Sequence, residues 1–162
     1  MKIAYTGTHG TGKTTSVLKL SYEMKMKHHD KNIEVFMENA KHSPLPINLN
    51  STQESQLWIF TNQIQQEIYL SSKADILILD RTCIDSIAYT RHRGFTNLAK
   101  RKLELAKYHI HSYDTIYFKT IKNNDYCFED KTRIHDNNNF RQTIEDMLLE
   151  YYEILNKEII LI

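Results

Sequence analysis

Glycine is scarce in this chain. Only four occur in 162 residues, so few segments can adopt a left-handed backbone or admit close approach of another group. The two prolines, Pro44 and Pro46, lie together and mark one loop, not a proline-rich linker. The two cysteines, Cys83 and Cys127, have neither metal nor redox spacing and read as free thiols of a reducing, cytoplasmic compartment. No run of about 18 apolar residues occurs, which excludes a transmembrane helix and argues against a membrane partner. The first residues read as a core strand, leaving no room for a signal peptide. Lys and Arg number 21 against 20 Asp and Glu. A net charge of +1 supplies no broad field for nucleic acid, which is disfavoured as a partner though not excluded. No internal repeat, linker or low-complexity tract breaks the chain, and its length suits one domain over residues 1–162.

Three of the four glycines fall in Gly7-Thr8-His9-Gly10-Thr11-Gly12-Lys13-Thr14-Thr15. The spacing is that of a P-loop: Gly, four residues, Gly, Lys, then Ser or Thr. Lys2-Ile3-Ala4-Tyr5-Thr6 before it reads as a buried strand, and Thr15 to His28 after it reads as a helix. In that context the backbone N–H groups cradle phosphate at the helix N-terminus. Lys13 reaches the β- and γ-phosphates, and the Thr14 hydroxyl is a ligand for Mg²⁺. His9 is expected to face solvent or nucleotide without doing chemistry.

Strand and helix signals then alternate. Ile33 to Met37 reads as a second strand, closed by Glu38. A helix is expected from Ser51 or Thr52 to about Ser72, with Leu57, Phe60, Ile64 and Ile68 as its apolar stripe. Ala74 to Leu79 is a continuous apolar run, as in a strand covered on both faces, and it ends in Asp80-Arg81. Helices follow over 82–93, stopped by Gly94, and over 96–113. A fourth strand is expected at Thr115-Ile116-Tyr117-Phe118, a polar lid at about 119–139, a helix from Phe140 to Asn156 and a fifth strand at 159–162. The pattern predicts a three-layer α/β/α fold on a parallel sheet, whose ligands bind beyond the strands' carboxyl ends. The P-loop, Glu38 and Asp80 all fall at such ends.

Asp80 is placed to hold Mg²⁺ with Thr14, or to cap the next helix. Arg81 is placed to clamp an acceptor oxyanion, or to form a salt bridge. Glu38 is either a base for an attacking hydroxyl or a solvated loop residue. Gln56 and Gln63 share a helix face beside Phe60, as a base-recognition surface or merely a polar one. Arg133 in the lid suits stabilisation of transferred charge; Arg141 is a second candidate, unless it pairs with Glu145. The eight histidines show no trusted ligand spacing, and Lys100-Arg101-Lys102 reads as a solvated helix face.

These residues together resemble the P-loop nucleoside and nucleotide kinases, especially the AAA-like kinase domains related to bacterial nicotinamide-riboside kinase. The resemblance rests on the P-loop, Glu38-Asn39-Ala40-Lys41, Ile78-Leu79-Asp80-Arg81-Thr82, Asp130-Lys131-Thr132-Arg133 and Phe140-Arg141, and covers residues 1 to about 156. It implies a five-stranded sheet of order 2-3-1-4-5, Glu38 near the acceptor and Arg133 in a lid over ATP. The expected activity is Mg²⁺-dependent phosphoryl transfer from ATP to a small nucleoside or nucleotide. Lys13, Asp80, Glu38, Arg81 and Arg133 would act in catalysis, and Glu38, Gln63, Arg81 and Arg141 would hold the acceptor. Two alternatives remain: a kinase of a modified base in DNA, and a nucleotide-binding ATPase switch. A homodimer is compatible with all three. Relatives often carry Arg where this chain has Lys41, and continue past the fifth strand into an adenine-packing loop and a last helix. An Asn-Lys-x-Asp guanine signature is absent, which argues against a GTPase.

Overall fold

The structure is a computed structural model, and it describes residues 1–122 and 138–162. Five parallel strands form one sheet of order β2-β3-β1-β4-β5. The strands are β1 (Lys2–Thr6), β2 (Ile33–Phe36), β3 (Ile76–Asp80), β4 (Thr115–Phe118) and β5 (Ile160–Leu161). The helices are α1 (Lys13–Lys27), α2 (Gln53–Ser71), α3 (Cys83–His92), α4 (Thr96–His109) and α5 (Asn138–Ile154). This is the expected fold and strand order.

Every residue of β1 and β3 is buried. Alternation along β3 assigns its side chains to two unequal layers, because successive side chains point to opposite faces. Leu77 and Leu79 join the large cluster built with Phe60 of α2, Ile84 and Ile87 of α3, Ala106 of α4 and Leu148 of α5. Ile76 and Ile78 join a small cluster with Tyr5 and Val17, in which the helical residues, among those described, come from α1. Register sets the site: Tyr5 of β1 pairs with Asp80 on one side and Tyr117 on the other. Asp80 therefore ends its strand level with the chain that enters the P-loop.

Local signals start the helices. Thr52 caps α2 in a reciprocal capping box with Ser55, and Thr82 caps α3 in one with Asp85. The helix over 96–113 ends earlier than expected, at His109, and passes into a 3-10 turn over Ile110–Ser112. β5 is shorter than its apolar run, and Ile160 and Leu161 are exposed on the sheet edge.

Two expectations of burial are overturned. On α2 only Phe60 of the expected apolar stripe is fully buried; Leu57 and Ile68 are exposed. The inward face instead carries Gln56, Phe60, Gln63 and Glu67, at the helical spacing of three and four. Glu67 is fully buried and takes hydrogen bonds from Lys2 Nζ (3.0 Å), Tyr113 Oη (2.8 Å) and Gln63 Nε2 (2.9 Å), with His109 Nε2 at 2.8 Å. Partners on every side allow an otherwise costly buried carboxylate. Lys102 departs from the solvated face read for Lys100-Arg101-Lys102: it is 1% exposed and points inward over the Phe60 ring.

Candidate functional site

The P-loop leaves β1 through Gly7, whose φ of 127° is a glycine conformation. A Cβ at Gly7 would lie 2.4 Å from the Lys119 carbonyl oxygen, so the loop runs hard against the chain leaving β4. Gly12, in the left-handed region, caps α1. Lys13, 5% exposed, folds back so that Nζ donates to the Thr8 carbonyl at 2.5 Å and approaches Thr11 Oγ1 at 3.5 Å. Burial, aided by the nearby Arg81 guanidinium, lowers the Lys13 ammonium to about 7 against the pull of Asp85, Asp80 and Glu38. Lys13 is thus desolvated beside the loop, and its charge is easily lost.

Thr14 Oγ1 donates to Asp80 Oδ2 at 2.6 Å, joining the loop to the end of β3. Two oxygen donors so close suit a hard cation such as Mg²⁺, which takes few protein ligands and keeps several waters. Among the described residues no group of three or more His, Cys, Asp and Glu is arranged to hold a metal.

Arg81 follows Asp80 with φ at 90°, a strained value for a residue with a side chain. Its Nε donates to Glu38 Oε1 at 2.8 Å and its Nη1 to Asp85 Oδ1 at 3.0 Å, while the guanidinium lies over Tyr89 at 5.3 Å. Burial alone raises the Glu38 carboxyl, but Arg81 and Lys13 outweigh it and hold Glu38 at about 2. The same carboxylates push Arg81 well above its ordinary value despite its burial. Of the two readings of Arg81, the salt bridge is the one seen, and it is largely buried. Asp85 was not foreseen: Oδ2 accepts from Thr6 Oγ1, Thr82 N and Thr82 Oγ1, and Oδ1 takes Arg81. The Thr82-x-x-Asp85 capping box was its signal in the sequence.

Beside these groups lies a cavity of about 230 Å³. Glu38, Arg81 and Asp85 line the end near the P-loop, and Gln56, Tyr89 and Arg93 are among the other lining groups. His9 and Phe140 form part of its rim, with ring centroids 5.3 Å apart, and His92 meets Phe140 edge-on at 4.5 Å. Gln63 also lines it, donating Nε2 to Glu67 and to the Arg81 carbonyl (3.5 Å). Arg141, in the first turn of α5, is buried and does not line the cavity. Arg133 and most of the expected lid lie outside the described residues.

The family model described as "AAA domain" matches residues 2–162. Thymidylate kinase from Ehrlichia chaffeensis superposes with a TM-score of 0.68 at 17% identity, over 100% of this chain and 91% of that one. Deoxyadenosine kinase from M. mycoides, with products dCMP and dCDP, gives 0.65 at 17% identity, over 100% and 90%. NadR in complex with NAD and AMP-PNP gives 0.69 at 17% identity, over 99% of this chain and 43% of that one. At such identities the likeness is one of fold. Among curated proteins nothing matches.

Proposed function

The chain belongs to the AAA domain family of P-loop proteins, and from that premise we propose that it transfers the γ-phosphoryl group of ATP to a small nucleoside or nucleotide. One observation carries this reading: the Thr14–Asp80 pair at the P-loop adjoins, through the consecutive residues Asp80 and Arg81, the Glu38–Arg81 pair that lines the cavity. A nucleotide-binding switch needs the first pair but gains nothing from the second. One neighbour supports an adenosine triphosphate as donor: NadR was solved with the ATP analogue AMP-PNP.

In this reading the loop N–H groups and Lys13 hold the β- and γ-phosphates, Lys13 leaving the Thr8 carbonyl to do so. Thr14 and Asp80 are the groups that would hold Mg²⁺, which when bound neutralises charge on the phosphate oxygens. Glu38 positions the attacking hydroxyl. A carboxylate held at about 2 is a weak base, but a loose phosphoryl-transfer transition state asks little proton removal early on. The remaining N–H groups of Arg81, and Arg133 from the lid, stabilise the transferred charge. Arg141 is buried and does not line the cavity, so it is not assigned a contact with the acceptor.

The test is a screen with labelled ATP of nucleosides, nucleoside monophosphates, nicotinamide riboside and DNA. Transfer to a small acceptor, abolished in a folded Lys13→Ala variant, is expected. Full activity in that variant sinks the mechanism. Label moving only to DNA, with steep salt dependence, would instead indicate a kinase of a base in DNA. Slow release of phosphate with no acceptor would indicate a switch.

A further inference from the structure

Glu67 of α2 takes no part in the reading above, yet it is fully buried with partners at both oxygens. Oε2 faces Lys2 Nζ at 3.0 Å and His109 Nε2 at 2.8 Å, and Oε1 accepts from the Tyr113 hydroxyl at 2.8 Å and from Gln63 Nε2 at 2.9 Å. Tyr113 Oη itself accepts from the Cys83 N–H at 3.1 Å, so its own hydrogen goes to Glu67. Burial raises the Glu67 carboxyl, but the His109 hydrogen bond and the Lys2 charge outweigh it and hold the group below the usual carboxylate range. Glu67 is therefore a carboxylate with its accepting capacity filled.

A carboxylate accepts hydrogen bonds and cannot donate them. The Gln63 amide must therefore turn its nitrogen, and not its oxygen, toward Glu67. The second Nε2 hydrogen faces the Arg81 carbonyl at 3.5 Å, another group that only accepts. Two such neighbours fix one of the two orientations open to an amide. Both hydrogens are spent, and Oε1 takes no hydrogen bond from the described residues. Gln63 is buried and lines the cavity, so the occupant of the cavity is what its oxygen has left to meet. Gln56, two turns earlier on the same face, is not fixed in this way: it meets the Thr90 hydroxyl at 3.0 Å, a group that can act as donor or acceptor.

We propose that Glu67 is a positioning residue that, by holding the nitrogen of Gln63, presents Gln63 Oε1 to the cavity as a fixed hydrogen-bond acceptor, so that the phosphoryl acceptor bound there sets an N–H or O–H against it. The inference rests on the transfer reading. Arg81 bonds Glu38 through its guanidinium and faces Gln63 with its carbonyl, so the amide belongs to the end of the cavity where the reacting hydroxyl is held. Gln63 takes a second donor of the same molecule. A molecule without that donor leaves a buried carbonyl oxygen unpaired, and the amide cannot turn to suit it without setting its oxygen against the Glu67 carboxylate.

The experiment takes the best acceptor from the labelled-ATP screen and removes its donors, other than the reacting hydroxyl, one at a time: a sugar hydroxyl by deoxygenation, an amino group by exchange for hydrogen, a ring N–H by methylation. In the wild-type protein one removal is expected to lower kcat/KM about tenfold or more, and in Gln63→Met the same removal costs less than about threefold. Glu67→Gln, folded by circular dichroism, gives Gln63 a neighbour that can donate as well as accept, and the wild-type discrimination falls at least about threefold. Added to Gln63→Met, it changes the discrimination no further, as two residues acting through one contact require. If Glu67→Gln does not fold, the Gln63 side-chain amide of the wild-type protein decides: in nitrogen–proton NMR spectra both hydrogens, identified by their loss in Gln63→Met, are expected to be protected from exchange with solvent. Freely exchanging hydrogens, no removal that costs tenfold, a cost undiminished in Gln63→Met, or discrimination unmoved in folded Glu67→Gln overturns the proposal and leaves the transfer reading standing. No transfer to any acceptor removes both.

Discussion

Nucleotide binding is expected to draw a proton onto the protein at mildly alkaline pH. Without phosphate, Lys13 is buried against the Thr8 carbonyl and its ammonium is lowered to about 7. A polyphosphate contacting Nζ supplies the opposing charge that burial removed and returns the group toward 10 or above. At pH 8 free Lys13 is then about 90% neutral, and binding ATP takes up about 0.9 proton; at pH 6 the uptake falls to about 0.1. Affinity follows by linkage. Below pH 7 it is flat with respect to this group. Above pH 7 it falls about tenfold, or about 1.4 kcal/mol, per pH unit until the bound-state value is reached. Isothermal titration of the protein with ATP in buffers of different ionisation enthalpy reads the uptake directly. Working at pH 8 keeps the nucleotide's own phosphates fully ionised, and Lys13→Met supplies the blank. The reasoning is refuted if the heats at pH 8 do not vary with the buffer, or vary equally in Lys13→Met.

Two further outcomes follow from the same geometry. Gly7→Ala places a Cβ 2.4 Å from the Lys119 carbonyl at a φ that side chains avoid, and neither backbone can yield cheaply; a loss of about 2 kcal/mol or more is expected in urea unfolding, and wild-type stability would refute the close packing. Glu38 is held at about 2 when folded against an unfolded 4.5, so its contribution is full above pH 4.5 and is lost as pH falls toward 2. Glu38→Gln should therefore flatten the decline in urea midpoint between pH 5 and pH 2.5, and an unchanged slope would contradict the pairing with Arg81.

Much of the fold was legible because its signals were local and redundant. The apolar run of β3, the glycine spacing of the P-loop and the Thr52 cap each act within a few residues, whereas α3 is capped by Thr82 and not by Asp80. The convergence of Lys13, Thr14, Glu38 and Asp80 followed from parallel topology, which brings strand carboxyl ends to one edge. The α2 face was misread because period alone does not say which side is inward: Leu57 and Ile68 share helical spacing, but the side facing the cavity is the one bearing Gln56, Gln63 and Glu67. Nothing in the run Lys100-Arg101-Lys102 marks its third member for burial. That depends on two hydroxyls of α3, ten and more residues away in the chain. Likewise, the backbone of Arg81 takes a glycine-like turn that no glycine announces.

The unequal covering of the sheet carries a consequence for how such a protein changes over time. The P-loop opens α1, which, among the described helices, is the one packed on the small cluster on one face. The cavity draws its walls from α2, α3 and the segment after β2, anchored in the large cluster on the other face. The two halves meet at the strand ends, where Thr6 bonds Asp85, and at His9 of the loop, which lines the cavity. Substitutions can therefore remodel what enters the cavity while the cradle is inherited intact, and a new specificity can be grafted by exchanging the α2 and α3 faces. The sheet acts as a partition between a part that is free to diverge and a part that is not.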